Sequence, residues 1–375
     1  MTHAHHPVRV AVVGAGKIAD AHLKALRARE DQATVVAVVD LDADRAAAFA
    51  SRWNVPAAYE DLAEMLAAER LDLVVVCTPP AAHHDAVVAC LDAGVWVWCE
   101  KPPTVSVAEY DAIAAHERDG GPYVSYVFQH RFGSAARALR EQIRTGALGT
   151  PLVGVCHTLW YRDDAYYDVP WRGTWESEGG GPAMGHGIHQ MDLMLSLLGD
   201  WTEVRAAAGT LARDVDTEDV SMAIVRFASG AMVSMINSVL SPRETSYLRF
   251  DFTEATVELS HLYGYDNSHW TWTPAPHRAD DGPSALGAPT DDLASSHTAQ
   301  LGNLLAALRE GRRPEASGED GRRTLAFIAA LYESAATGRP VTPADLTPDN
   351  PYYHAMNGPA ATAPSSDADK EHASA

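Results

Sequence analysis

Lysine is nearly missing from this chain: only Lys17, Lys24, Lys101 and Lys370 occur among 375 residues, and the rest of the 29 basic residues are arginine. Fifty acidic residues leave a formal net charge of −21. Such a balance excludes a nucleic-acid partner, because a polyanion is held by clustered Lys and Arg. No apolar run is long enough to span a bilayer, and the entry into the first strand at Val8 carries no signal-peptide pattern, so neither a membrane nor an export route is expected. Cysteine is scarce as well. Cys77, Cys90, Cys99 and Cys156 lack the paired spacing of a metal site, and three of them fall in expected core elements, which points to reduced thiols and a cytoplasmic location. His3, His5 and His6 cluster at the start of the chain, where an irregular conformation is expected.

What is present is a regular alternation. Apolar strands are expected at 8–13, 34–39, 71–77, 95–98 and 123–128. Helical patterns fall between them at 17–29, 45–52, 62–69 and 83–93. Strands that are apolar throughout and alternate with helices belong to a parallel sheet covered on both faces. After a helix at 134–144 the pattern changes to longer, half-alternating strands at 151–160, 203–212, 219–227, 231–239, 246–252 and 255–260. A helix at 184–198 interrupts them, and helices at 296–309 and 320–336 follow. The fold class is therefore α/β, with an N-terminal doubly wound (Rossmann) domain over 1–125 and a C-terminal α/β domain over 126–348. The second domain carries a large, mostly antiparallel open sheet. Residues 274–292 are expected to form a mobile loop, and 349–375 a largely disordered tail.

Four blocks carry chemistry. Gly14-Ala15-Gly16-Lys17-Ile18-Ala19 follows a strand, opens a helix and is followed by Asp40 at the end of the next strand; that context makes it a dinucleotide-binding turn. Asp40 favours NAD over NADP by accepting from the adenosine ribose and repelling a 2′-phosphate, with Arg45 close enough to temper the preference. Thr78-Pro79-Pro80 and His83 end another strand on the same sheet edge and are expected to border the cofactor.

Cys99-Glu100-Lys101-Pro102 ends a third strand there. A scarce lysine at a ligand-binding edge suggests a group whose proton must move, since a partly desolvated lysine can be tuned toward neutrality and arginine cannot. Glu100 would position it. The fourth block runs through Tyr161-Arg162, Tyr166-Tyr167, Trp171-Arg172, Gly179-Gly180-Gly181 and Met184 to Asp192. His186, His189 and Gln190 share one helical face, and Asp192 stands three residues beyond His189, where it could orient the imidazole. His186 and His189 have the spacing of a metal pair, but no third ligand is evident and no metal is expected.

These motifs, in this order, resemble the glucose–fructose oxidoreductase, inositol dehydrogenase and MocA (Gfo/Idh/MocA) family over about residues 7–345. The resemblance implies an enzyme that binds NAD, less readily NADP, and transfers hydride to or from a ring hydroxyl or ketone of a sugar, glycoside, nucleotide sugar or polyol. It implies a dimer or tetramer built through the C-terminal sheet. Lys101 and His189 become the catalytic residues, with His186 a third candidate. Gln129, Tyr161, Trp171 and Arg172 become substrate contacts along with His186 and His189. Gly14, Gly16, Lys17, Ile18, Asp40, Arg45, Thr78, Pro79, His83, Glu100 and Lys101 face the cofactor. One departure stands out: Gly185 occupies a position that is usually Asp or Asn. Two other readings stay open, a dinucleotide-binding sensor without turnover and a redox-neutral glycoside-processing enzyme that retains its NAD.

Overall fold

A computed structural model describes residues 6–359. His3, His5 and the end of the tail, 360–375, lie outside the described residues. The N-terminal sheet holds six parallel strands: β1 (Val8–Val13), β2 (Ala33–Val39), β3 (Ala57–Tyr59), β4 (Leu73–Val76), β5 (Trp96–Cys99) and β6 (Val124–Tyr126). Their order, β3-β2-β1-β4-β5-β6, is that of a dinucleotide-binding sheet, with the reversal between β1 and β4. Val10, Val12, Val74, Val75 and Val97 have no exposed surface, because helices cover both faces. The short β3 and the Val107–Ala114 helix are additions to the expected elements.

The second sheet has seven strands: β7 (Pro151–Tyr161), β8 (Trp201–Gly209), β9 (Val220–Phe227), β10 (Met232–Ser238), β11 (Leu240–Phe252), β12 (Ala255–His261) and β13 (Trp270–Pro274). They lie in the order β13-β12-β11-β7-β10-β9-β8. Only the β7–β10 pair is parallel. One face packs on the Ile188–Leu198 and Glu319–Thr337 helices, whose Leu193, Leu195, Phe327 and Leu331 are fully buried. The other face leaves Val153, Met222, Ile224 and Met232 exposed side by side.

Two expected boundaries do not match the packing. The His297–Glu310 helix returns to the first domain, where Leu301, Leu304 and Leu305 join the core behind the Ala19–Arg27 helix. With the Glu319–Thr337 helix back on the second sheet, the chain therefore crosses between the domains three times, and a single cut at residue 125 would also split β6. Past residue 348, the Pro351–His354 helix buries Tyr352, and Met356 is buried just beyond it, so packed structure reaches further than expected. The 274–292 stretch contains two short 3-10 turns, Pro276–Arg278 and Pro283–Leu286, and Leu286 is buried.

Candidate active site

A single cleft of about 1210 Å³ runs from the glycine turn after β1 to the second sheet. That exceeds the usual volume of a pocket for one small ligand and leaves room for two. At one end, Gly14 adopts φ +93°, and a Cβ there would lie 2.8 Å from the Cys77 backbone. Only glycine allows β1 and the end of β4 to approach so closely. A Cβ on Gly16 would meet nothing, so this amide-rich turn opens straight into the cleft. The helix beginning at Ala19 points its positive end there.

Asp40 accepts from Ala15 N (2.8 Å) and Asp42 N (3.0 Å), and Arg45 grips both its oxygens from Nε (3.0 Å) and Nη2 (2.7 Å). Burial works to raise the Asp40 carboxyl, but these donors win and hold it below the usual range. Ile18 and Leu41 line the same end with 38% and 92% of their surface exposed, where a ligand in the cleft would cover them. Lys17, Thr78 and Pro79 also border the cleft, and Thr78 Oγ1 is buried without a partner. The residues present thus fit a dinucleotide.

His83 departs from the expectation. It is fully buried behind the cleft, with Nδ1 2.9 Å from Pro102 O and Nε2 3.0 Å from Thr78 O. It ties together the loops at Thr78 and Pro102 and does not line the cleft.

At the inner end, Lys101 Nζ donates to Gly185 O at 2.8 Å. Burial, aided by the nearby Arg172 and Arg162 charges and opposed by Glu100, lowers its pKa below the ordinary lysine value. Glu100 Oε2 accepts from Lys101 N (3.1 Å), and Oε1 lies 2.7 Å from His22 Nε2 and 3.4 Å from His297 Nε2. Burial favours the neutral acid, yet the two histidines outweigh it and keep Glu100 ionised. Burial holds His22 neutral. These three residues form the one close group of potential metal ligands among the described residues. The 2.7 Å contact, an ordinary N–H···O distance, makes the group a hydrogen-bonded cluster that ties the Ala19–Arg27 helix to the end of β5.

Ala183–Gly187 form one wide π-helical turn that leads into the Ile188–Leu198 helix. Such turns concentrate at functional sites. Glu218 braces its start, accepting from Gly181 N, Ala183 N and Tyr332 Oη within 3.0 Å. His189 lines the cleft beside Lys101, with its ring 5.0 Å from His130 and 5.6 Å from Tyr263. Burial, Lys101 and His130 push its pKa well down, so the imidazole is neutral. His186 also lines the cleft, but its Nε2 takes a hydrogen bond from Arg162 Nε at 3.2 Å.

Asp192 does not orient His189. Its carboxylate is taken by buried Arg131 at 2.6 Å and 2.5 Å and by Thr324 at 3.1 Å. Trp171 and Arg172 do line the cleft. Tyr161 does not: it is 41% exposed and packs under Arg213, 5.2 Å from its ring centre. Gln129 is buried behind Tyr263, to whose hydroxyl it donates. Trp160, Arg162, Tyr263 and Glu244 take their places; of these only Arg162 was named from the sequence, as part of the fourth block and not as a substrate contact, and Glu178 and His297 were not singled out either. Strand parity could have found two of them. Gly154, Cys156 and Thr158 face inward on β7, so Trp160 and then Arg162 follow on the inner side and Tyr161 does not.

A glycine turn at a parallel-sheet edge, an acid at the next strand end and a tuned lysine define a dinucleotide-dependent oxidoreductase. Residues 8–128 match the model described as "Oxidoreductase family, NAD-binding Rossmann fold", and residues 136–258 match "GFO/IDH/MocA C-terminal domain". The chain belongs to the Gfo/Idh/MocA oxidoreductase family, and NAD is its cofactor. It is 29% identical to a D-apiose dehydrogenase of Paraburkholderia graminis, over 91% of each chain. It is 27% identical to a D-glucoside 3-dehydrogenase of Escherichia coli, over 88% of this chain and 96% of that one. The WlbA dehydrogenase of Bordetella pertussis, solved with NADH and UDP-GlcNAcA, superimposes with a TM-score of 0.81 at 26% identity, over 90% of this chain and 99% of that one.

Proposed function

We propose that this chain oxidises a ring hydroxyl of a sugar, glycoside, nucleotide sugar or polyol, or reduces the corresponding ketone, with Lys101 moving the proton. The observation that carries this reading is the placement of Lys101: tuned toward neutrality, aimed by Gly185 O and set beside neutral His189. NAD, when bound, supplies the hydride acceptor of the oxidation. Lys101 as free amine takes the hydroxyl proton, and ionised Glu100 offsets the ammonium that results. Neutral His189 holds the reacting hydroxyl by a hydrogen bond without competing for its proton. Trp160 and Tyr263 supply the apolar walls on which a sugar ring stacks, and Trp171 and Arg172 close the outer side. Asp40 supports the preference for NAD over NADP. The experiment is to mix protein, NAD and a panel of hexoses, pentoses, inositols and glycosides and follow the absorbance of reduced cofactor. Reduced cofactor with at least one of them supports the reading. Release of a leaving group without net NADH would move it to the redox-neutral alternative, and tight NAD binding with persistent silence to the sensor.

Two further points belong to the same reading. The exposed row Val153, Met222, Ile224 and Met232 on the free face of the second sheet suits a homo-oligomer formed through that sheet. Four buried, unpaired cysteines suit the cytoplasm. No helix among the described residues is long and apolar enough to cross a membrane.

A further inference from the structure

Two guanidinium groups converge on one phenol ring at the substrate end of the cleft. The Arg172 guanidinium carbon lies 3.9 Å from the centre of the Tyr166 ring and that of Arg162 5.4 Å from it. The Lys101 amine enters the same space from the opposite wall. Arg172 also rests 4.4 Å over Trp171, and Arg162 5.0 Å over Trp160, so both charges lie against aromatic faces.

Each arginine pairs with one acid, and does so through Nη1 alone. Glu244 Oε1 takes Arg162 Nη1 at 3.0 Å, on the outer side. Glu178 is committed to the loop backbone, accepting from Gly173 N at 2.6 Å, and reaches Arg172 Nη1 only at 3.3 Å. The hydrogen bonds of Arg172 use Nη1, and those of Arg162 use Nε and Nη1. That leaves the Nη2 edge of each guanidinium for a ligand. Gly185 lines the same cleft, and a Cβ there would have no neighbour within 4 Å. Planar guanidinium edges suit carboxylate and phosphate oxygens.

Resting on the dehydrogenase reading above, we propose that the sugar substrate carries an anionic substituent, carboxylate or phosphate, which lies before Gly185 and is read by Arg162 and Arg172.

The test compares matched sugars with NAD: methyl glucoside, its uronic acid counterpart, glucose 6-phosphate and a nucleotide-linked uronate. We expect at least one acidic sugar to exceed its neutral counterpart in kcat/KM by about tenfold or more, the scale of one charge-assisted hydrogen bond. The uronate and phosphate arms tell which anion is taken. In Arg172→Gln and Arg162→Gln the acid-to-neutral ratio should collapse toward one. Gly185→Asp, which places a fixed carboxylate in the same space, should lower the ratio as well and serves if an arginine variant does not fold. A neutral sugar oxidised as fast as each acidic partner overturns the proposal and leaves the dehydrogenase reading standing. If no sugar gives NADH, that reading fails, and quenching of tryptophan fluorescence in the NAD complex decides the anion question alone: tighter binding of an acidic sugar than of its neutral partner supports it, and equal binding overturns it.

Discussion

The Lys101 ammonium nitrogen lies 2.8 Å from the carbonyl oxygen of Gly185, a residue eighty-four positions away in the other domain. This long, flexible-stemmed amine is thus aimed by backbone, which no side-chain substitution at 185 removes. Replacing Lys101 by Ala deletes the proton carrier and leaves this carbonyl facing the cleft. Turnover should fall by at least about tenfold, within the usual range for a lost acid–base group. NAD affinity, set chiefly at the far end of the cleft, should change little. Steady-state rates and a cofactor titration check the two halves separately, and unchanged turnover would remove Lys101 from the chemistry.

The direction of the Lys101 shift fixes the sign of a pH effect. Oxidation needs the free amine, so kcat/KM for alcohol oxidation should rise with pH through a limb below the ordinary lysine value of about 10.4. Ketone reduction needs the ammonium and should fall through the same limb. His189 and His186 are held neutral well below pH 6.5, so no limb near that pH should come from them. Initial rates in both directions across pH 5–10 test this; a limb missing from both would contradict it.

Asp40 and Arg45 form a closed pair at the glycine-turn end of the cleft, where the proposed reading puts the adenosine. In Asp40→Ser, repulsion of a 2′-phosphate is lost and Arg45 is freed to meet it. The ratio of kcat/KM for NADP to that for NAD should rise by about tenfold or more, as expected for interactions with a charged group. An unchanged ratio would mean that Asp40 does not face the ribose.

The Arg131–Asp192 pair is structural, because Arg131 is 3% and Asp192 0% exposed. Asp192→Asn leaves a buried guanidinium with Asp320, at 3.0 Å and 40% exposed, as its remaining acidic partner. Breaking such a pair typically costs about 3–5 kcal/mol, and the surviving partner should keep the loss near the lower end. Urea unfolding would show it as a lower midpoint with an unchanged slope. A loss of activity without loss of stability would instead favour a role for Asp192 at His189.

The sequence exposed the parallel sheet because buried strands are apolar throughout, and it exposed the glycine turn and Lys101 because both sit at strand ends. It was weaker wherever a residue's direction depends on tertiary contact. Spacing placed His189 and Asp192 three apart on one helix, but Arg131, from a distant turn, drew the carboxylate away. Likewise His83 follows the expected loop, yet two carbonyls from flanking loops claim its ring nitrogens. His297 carries no local signal at all. It meets Glu100 only because its helix crosses back to the first domain.

The π-helical turn at Ala183–Gly187 has a consequence for how this site can change over time. A regular helix advances about 100° per residue. Loss of one residue there would restore ordinary winding and swing one half of the segment by roughly that angle against the other. Arg131 anchors the downstream half and Glu218 the upstream one, so neither could simply follow. The alignment of Lys101 with the imidazole at 189 is therefore stored in the length of this turn more than in its composition. Drift by point substitution can retune what the enzyme accepts, whereas a frame-preserving deletion of a single codon would dismantle it.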